Sequence, residues 1–260
     1  MGVLLFFLVI FSTTLVAQEF QGIATYQTAR KNLAPIKSND SVSDKKQEEI
    51  GDMIASAFQK EFSLEFNRNE SLYKVVEKLE KPNPAFGDVV IKASTANELL
   101  YKNTKENRFV SEREFFGKKF LVKDSLERHD WQIGKETKKI GDFLCTKATR
   151  KKIYKERIVE RDGSYHFVDK EKDLIVWFAP QIPVSHGPAN HYGLPGLILE
   201  VEDGQTTYLC TNVVLNSKEK LNIKEPNKGK VVSLAEFDQI RESRLKEAKE
   251  NAKNRRKNER

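Results

Sequence analysis

"LPGLILEVEDGQTTYLCTNVVL", residues 194–215, decides the fold of this 260-residue chain, because two apolar runs flank a turn signal. The dipeptide Asp203-Gly204 is a strong signal for a two-residue hairpin turn. With that turn, three pairs of residues would oppose each other on one apolar face: Val201 and Thr206, Leu199 and Tyr208, and Leu197 and Cys210. Since alternate side chains of a strand share one face, the stretch predicts an antiparallel hairpin in a buried sheet.

The four residues "GLPG" at 193–196 favour a corner that leads into this hairpin. Leu194 precedes a proline, which pushes its backbone to the extended region. Pro195 and Gly196 suit the two central positions of a type II turn, where the glycine adopts a positive φ. We therefore expect that replacing Gly196 by alanine costs more than about 1 kcal/mol of stability.

Strand patterns also fill the chain before this hairpin. "FQGIATYQT", residues 20–28, alternates well enough for a first strand, and Phe62 to Phe66 alternate before a turn and a return strand. "REFFGKKFLV" predicts a second hairpin with Gly117 at the bend. Leu174 to Ala179 is apolar on both faces, as is typical of a central strand.

Two helices accompany these strands. Residues 47–62 place Ile50, Met53, Ile54 and Phe58 at helical spacing, and Ser233 with Glu236 fits a capping box at a helix start. The pattern predicts a mainly β fold with minor α structure: a strongly curved antiparallel sheet or incomplete barrel with two accessory helices. One of them is expected on the concave or open side of the sheet.

The first seventeen residues, "MGVLLFFLVIFSTTLVA", carry no charge and contain a short apolar run. They indicate a signal peptide cleaved near Ala17, because the run is too short to anchor the chain and no later segment could cross a membrane. Export to the periplasm or outer cell envelope is therefore expected. Residues 18–232 would form one β-rich domain, and with 38% hydrophobic residues the chain is globular.

The formal net charge of +7 comes mostly from the C-terminal end. From Arg241 to Arg260 there are nine Lys and Arg and four Glu, a net +5, which leaves about +2 for the rest of the chain. We expect residues 233–260 to form a basic helix whose end, from Asn251, frays into solvent. No Trp or Tyr is interleaved with these charges, so a nucleic-acid partner is not predicted, whereas peripheral contact with an anionic envelope surface is.

No pattern in the sequence specifies a reaction. Phosphate-binding glycine loops, the GxSxG elbow of hydrolases and the HExxH zinc motif do not occur. His186 and His191 flank "GPAN" and are the candidate metal ligands, but two histidines are fewer than the three or four that Zn²⁺ requires. We predict no metal, no cofactor and no catalytic residue. An enzyme is thus disfavoured, although a metal-dependent one using these histidines stays open.

Cys145 and Cys210 are the only cysteines. An exported chain permits a disulfide between them, and closing a loop of about 65 residues could contribute roughly 4 kcal/mol. A buried free thiol at Cys210, beside Leu197, fits the hairpin pattern equally well. The sequence leaves both states open.

Aromatic side chains on or beside the last strands offer a route to ligand binding without catalysis. Trp177, Tyr192 and Tyr208 are the candidates, because a curved sheet can present such rings to an apolar ligand or peptide. Core packing explains the same residues, so both interpretations remain.

Three stretches, "KIGDFLCTKATRK", "IVWFAPQIPVSHGP" and "YGLPGLILEVEDG", resemble the GLPGLI family of exported bacterial envelope proteins. The residues that match its motif are Cys145, Lys147, Ala148, Trp177, Pro183, Gly187, Pro188, Gly193, Leu194, Pro195, Gly196, Leu197 and Ile198. Two features depart from the family pattern: a longer insert before Trp177, and the histidines at 186 and 191. The resemblance implies envelope association and transfers no activity or catalytic residue.

These observations predict an exported, non-enzymatic binding or accessory protein. Its partner would be an unidentified envelope protein, peptide or lipid. The alternatives are a metal-binding protein or metal-dependent enzyme using His186 and His191, and a structural envelope component held by its basic tail.

Overall fold

A computed structural model of the protein describes residues 20–30, 59–76, 85–86, 89–90, 99–159, 165–204, 206–217 and 219–258. The first strands are β1 (Gln21–Arg30), β2 (Glu61–Asn67), β3 (Glu70–Val75), β4 (Ala85–Phe86), β5 (Val89–Val90), β6 (Leu99–Asn103) and β7 (Arg108–Phe115). The later elements are β8 (Lys118–Ser125), β9 (Gln132–Ile140), β10 (Phe143–Val159), β11 (Tyr165–Ala179), β12 (Leu197–Asp203), β13 (Thr206–Leu215), β14 (Lys230–Val232) and helix α1 (Leu234–Asn258).

Twelve of these strands form one sheet in the order β14-β8-β7-β6-β3-β2-β1-β13-β12-β11-β10-β9. All neighbours are antiparallel except β14, which pairs with β8 in parallel. The order has two free ends, so the sheet is open and does not close into a barrel. β4 and β5 form a separate two-stranded ladder. The mainly β class is confirmed.

One row of buried side chains shows how the sheet holds its core. Each member lies directly opposite the next across six neighbouring strands: Ala24, Leu64, Tyr73, Leu100, Ser111 and Val122. All six are buried. Residues opposite each other in a ladder share one face of the sheet, which we call the inner face.

Residues 180–196, between β11 and β12, pack against this inner face, and we call them the crossing segment. Ile182 and Val184 belong to the same apolar cluster as Leu64 on β2 and Leu100 on β6. Backbone hydrogen bonds fix the first part of the segment to the start of β12: Leu197 N donates to Ile182 O, and Ile198 N donates to His186 O. The core of the protein is thus formed by the sheet and by a non-regular segment laid on it.

The capping box at the start of α1 is confirmed. Ser233 N donates to Glu236 Oε2 at 2.7 Å, and Glu236 N donates to Ser233 Oγ at 3.2 Å. Phe237, in the first turns of α1, packs on Phe120 of β8 with ring centres 5.4 Å apart. The helix covers this end of the sheet and continues through Asn258, so the stretch from Asn251 that was expected to fray is helical to that residue.

The prediction of two accessory helices is wrong for the described residues, which contain α1 alone. Of the helix predicted at residues 47–62, the part up to residue 58 lies outside the described residues. Its last residues, Glu61 and Phe62, belong to β2. The alternation of Phe62, Leu64 and Phe66 decides the structure there, because those side chains reach the inner face in an extended chain.

Both predicted early hairpins are confirmed as β2–β3 and β7–β8. In the β7–β8 turn, Phe116 and Gly117 have φ values of 51° and 70°. The register predicted for the last hairpin is wrong by two residues, because Asp203 pairs with Thr206 and Val201 with Tyr208. The turn therefore starts at Gly204, with φ of 60°, and Asp203 ends β12. A shift of two keeps the same side chains on the same face.

The type II turn predicted for the corner is also wrong. Gly193 has a positive φ of 92°, whereas Gly196 does not. A Cβ on Gly196 would lie 2.4 Å from the Ala179 carbonyl oxygen and 2.7 Å from its carbon. The glycine is required there because the chain passes directly against the end of β11.

Candidate functional site

The crossing segment brings three parts of the chain together at the corner before β12. Gly187 lets it fold back on itself, because a Cβ at this position would lie 2.6 Å from His191 O and 2.8 Å from Ile198 Cβ. Gly193 N donates to Ser185 O at 3.2 Å. The prolines that interrupt the segment cannot donate backbone hydrogen bonds, which favours irregular chain over strand. Residues 191–196 are thereby held at one fixed place beside the start of β9.

Lys102 of β6 ties the crossing segment to the far part of the sheet. Its side chain is fully buried, and Nζ donates to Gly187 O at 3.0 Å and to Ala189 O at 2.6 Å. The ammonium also lies 5.4 Å from the ring centre of Tyr192. A buried amine held by two carbonyls fixes the segment by hydrogen bonds that a neutral apolar residue could not make.

The two histidines predicted as candidate metal ligands are buried in the crossing segment. Burial, together with the charge of Lys102, lowers the pKa of His186 to about 3. The Asn67 backbone approaches this ring, but neither ring nitrogen reaches hydrogen-bond geometry. Burial likewise lowers the pKa of His191 to about 3, against the opposing effect of the Asp203 carboxylate. Among the described residues neither belongs to a group of three His, Cys, Asp or Glu side chains that could hold a metal ion.

A chain of contacts around Tyr192 fixes the corner against residues 127–131. Trp131 Nε1 donates to Tyr192 O at 2.8 Å, and Tyr192 Oη donates to Glu127 O at 2.6 Å. The His129 ring lies against the Tyr192 ring with centres 4.5 Å apart, and its Nε2 is 3.1 Å from Asn190 O. Burial first, and then the charge of Arg150, lowers the pKa of His129. This packing aligns the two chain segments side by side.

Between these segments lies a cleft of about 320 Å³ that is open to solvent, and we call it the corner cleft. One wall comes from the chain before β9 and its first residues, the other from the GLP residues of the corner. The lining residues are Arg128, His129, Asp130, Trp131, Gln132, Ile133, Gly193, Leu194 and Pro195. The apolar surface of Trp131, Ile133 and Pro195 faces polar groups at the rim, as in many small-ligand sites.

Arg150 of β10 adds positive charge beside this cleft. Its guanidinium carbon lies 5.2 Å from the ring centre of Trp131. Its charge also contributes to the lowered pKa values of His129 and His191. A cation therefore lies next to the Trp131 ring, adjoining the residues that line the cleft but not one of them.

The predicted ligand-binding aromatic residues are not brought together. Tyr192 is 8% exposed and supports the corner cleft from behind, while Tyr208 contacts His191 with ring centres 5.7 Å apart. Trp177 lies elsewhere, with Lys138 Nζ 4.4 Å from its ring centre. Trp177 packs partly against the main core cluster, which contains Cys145 and Leu197.

Cys145 and Cys210 are buried, separate thiols in that same cluster. Burial raises the pKa of Cys145 to about 11 and that of Cys210 to about 12. Thiols held protonated in an apolar core are poor nucleophiles. In this form they act as small core residues.

Trp131 and His129 line the cleft at the GLP corner, Arg150 lies next to Trp131, and sequence reasoning missed all three. No local pattern connects residues 129–131 with residues 193–195, which meet only through the fold. The available signal was the spacing of His129 and Trp131 on an extended segment, where alternate residues share a side. That signal is too weak to single them out.

Solved structures show the same class of fold. Structures of PNGF-II in the P21 and C2 space groups match with TM-scores of 0.51 and 0.50, 15% sequence identity and coverage of 85% of this chain. The chain spans about a third of the matched PNGF-II chains, 33% and 32% of their length. At this identity the likeness concerns the fold alone.

A family model described as "Protein of unknown function (Porph_ging)" matches residues 131–200. The matched stretch begins at Trp131 and runs through the crossing segment to Glu200, so it contains residues from both walls of the corner cleft. This match is compatible with a bacterial envelope family. No curated protein matches the chain significantly. Among the described residues, no helix combines the length and apolar character needed to span a membrane.

Proposed function

We propose that the protein is an exported, envelope-associated binding protein of the GLPGLI type that holds a small ligand in the corner cleft. The observation that carries the proposal is the cleft itself, whose one wall is the GLP part of the motif. Leu194 and Pro195 form this wall. Their segment is held by hydrogen bonds from Lys102 and from the backbone at the start of β12. A site built on such a fixed frame is pre-organised for binding.

The chemistry of the lining favours binding over covalent catalysis. The residues that line the cleft include no Ser, Thr or Cys side chain to serve as a nucleophile. His129 is held by the Asn190 carbonyl and packed at a tilted angle against Tyr192, which fixes its ring. Trp131 and Ile133 offer apolar contact area, and the charged rim of Arg128 and Asp130 orients a polar group.

Export of the chain is the second part of the proposal. The charge-free apolar start of the sequence supports it, as does the resemblance of the crossing segment and its neighbours to an envelope family. The signal peptide at residues 1–17 lies outside the described residues. The excess of Lys and Arg in the sequence from Arg241 onward provides a route to peripheral contact with an anionic surface.

Native mass spectrometry of the protein isolated from an envelope fraction tests the binding proposal. We expect a bound small molecule on the unaltered chain. The variant Ile133→Trp fills the cleft from an exposed position, since Ile133 is 54% exposed, and should lose this mass excess. Ile153→Trp, at a 71% exposed isoleucine on β10 that does not line the cleft, is the matched control and should keep it. A mass excess retained by Ile133→Trp contradicts the assignment of the cleft.

A further inference from the structure

Among the described residues, Arg150 has no acidic partner, unlike the lysines beside it on β10. Three lysines near it on the same strand are all paired: Lys147 with Glu136, Lys151 with Asp173 and Glu171, and Lys152 with Asp203. Within the part of the chain that the structure describes, Arg150 forms no ion pair and no hydrogen bond. Its guanidinium carbon lies 5.2 Å from the ring centre of Trp131.

The exposure of its nitrogens shows where a partner could bind. Arg150 Nε is buried and lacks a hydrogen-bond partner. The two terminal nitrogens also form no hydrogen bond within the described residues, but they are not fully buried. They therefore retain contact with solvent. The guanidinium of Arg150 lies next to the Trp131 ring and is planar, so its two terminal nitrogens form a fork that matches the two oxygens of a carboxylate.

The neighbourhood favours an anion over a cation. Burial and the charge of Arg150 lower the pKa of His129, and burial lowers the pKa of His191 to about 3, which disfavours a second positive charge on either ring. Asp130 is 93% exposed at the rim and lies 3.8 Å from Arg128, so it leaves Arg150 without a counterion. A partly desolvated cation without a counterion is costly, and an anionic ligand offsets that cost.

We propose that the corner cleft selects ligands that carry a carboxylate, with Arg150 as the charge partner and Trp131 as the apolar wall. This inference rests on the proposed function, because it names the chemical class of ligand for the same cleft. The carboxylate accepts hydrogen bonds from the terminal nitrogens of Arg150, while the apolar part of the ligand lies between Trp131 and Pro195. Arg150 thereby becomes a specificity-determining residue of the site.

The test uses two probes of nearly equal shape, benzoate and benzamide, on the full chain labelled with ¹⁵N. The indole N–H signal of Trp131, separated from that of Trp177 by the variant Trp177→Phe, reports on the cleft. We expect benzoate to shift this signal in a saturable way with a Kd at least tenfold lower than that of benzamide. Charge-assisted paired hydrogen bonds account for a preference of this size.

Variants of Arg150 connect the preference to this side chain. Arg150→Gln should bring the two probes to equal affinity, and Arg150→Lys should keep part of the preference, because a charge remains without the fork. Lys151→Gln removes a neighbouring cation that has its own acidic partners and should bind as the unaltered chain does. Amide spectra that overlay away from the cleft show that each variant is folded.

Equal affinity of the unaltered chain for benzoate and benzamide overturns the carboxylate inference, and so does a preference that persists in Arg150→Gln. In both cases the cleft still binds small molecules, so the proposed function stands. A Trp131 signal that neither probe moves at saturating concentration also overturns the inference. The mass excess of the envelope-isolated protein then decides separately whether the cleft holds another kind of ligand.

Discussion

Gly196 is required by its surroundings rather than by its backbone angle. Its φ is not positive, yet an added Cβ would meet the backbone of Ala179 at 2.4 Å. Sequence reasoning predicted a cost of replacing this glycine, but derived it from a positive φ that the residue does not have. A close approach between residues 179 and 196 depends on the path of the whole crossing segment, which no local pattern encodes.

Gly196→Ala should therefore destabilise the protein by about 1 to 3 kcal/mol, the usual cost of overpacking against a rigid backbone. Chemical denaturation of the full chain measures it. Gly134→Ala on β9 is the matched control, because its nearest contact, Lys147 O, would be at an ordinary 3.5 Å and its φ is not positive. An equal loss in both variants would contradict the close approach at residue 196.

The buried histidines make stability depend on pH. In the folded protein His186 and His191 stay neutral down to a pKa of about 3, whereas in the unfolded chain histidine titrates near its ordinary value of about 6.5. Below that value the unfolded chain takes up protons that the folded chain does not. The free energy of unfolding therefore falls as the pH drops from about 6.5 toward 3.

His186→Leu removes one of these protonation sites and should flatten that fall by up to about 1.4 kcal/mol per pH unit. Denaturation curves between pH 7 and pH 4 measure the slope. Ile153→Leu, at an exposed position without a titratable group, is the control and should leave the slope unchanged. If the slope of His186→Leu equals that of the unaltered chain, His186 is not buried in its neutral form.

Among the elements, hairpins were predictable and their long-range neighbours were not. The β7–β8 turn carries Gly117 and the β2–β3 turn is held by the Asn67 side chain, which accepts from the backbone of Asn69 and Glu70. Such signals are local in sequence. The pairing of β1 with both β2 and β13 joins residues far apart in the chain, so the alternation of β1 predicts a strand without naming its neighbours.

The two ends of the sheet are protected in different ways. At one end β14 and α1 lie against β8, with Phe237 packed on Phe120. At the other end β9 carries lysines, and the ladder with β10 has an irregularity between Thr146 and Ala148. Charge and bulges discourage an edge strand from pairing with other chains. These features favour ligand binding in the corner cleft over strand addition at β9.

The capping box should contribute measurably to the stability of α1. Ser233→Ala removes the acceptor for Glu236 N and should destabilise the helix by about 1 kcal/mol. Amide hydrogen exchange in the first turn of α1 should accelerate accordingly. Ser243→Ala, in the exposed middle of the helix, is the control and should be neutral or slightly stabilising, because alanine favours helix. Equal amide exchange in the unaltered chain, Ser233→Ala and Ser243→Ala would contradict a stabilising role of the capping box.

For the whole molecule, the open sheet and the crossing segment together create a site that neither would form alone. The sequence predicted the corner as a structural feature and left Trp177, Tyr192 and Tyr208 open between ligand binding and core packing. None of these three residues lines the corner cleft, whereas Trp131 does. That residue meets the corner only because β9 and β12 flank β10 and β11 in the sheet.

The proposed export predicts the first residue of the mature chain. The protein recovered from an envelope fraction should begin near Gln18, because signal peptidase cleaves after small residues such as Ala17. Intact-mass measurement with N-terminal sequencing determines the start. A chain that retains Met1 in that fraction, or that is recovered only from the cytoplasm, contradicts export.

The most direct test of the binding site is a map of amide shifts in the ¹⁵N-labelled protein on addition of a small-molecule extract of the cell envelope. We predict that the shifted signals cluster at residues 128–133 and 193–195. Clustering on the β10–β11 hairpin beyond Arg150, or along α1 after Arg241, would contradict a ligand site in the corner cleft and favour attachment through those surfaces instead.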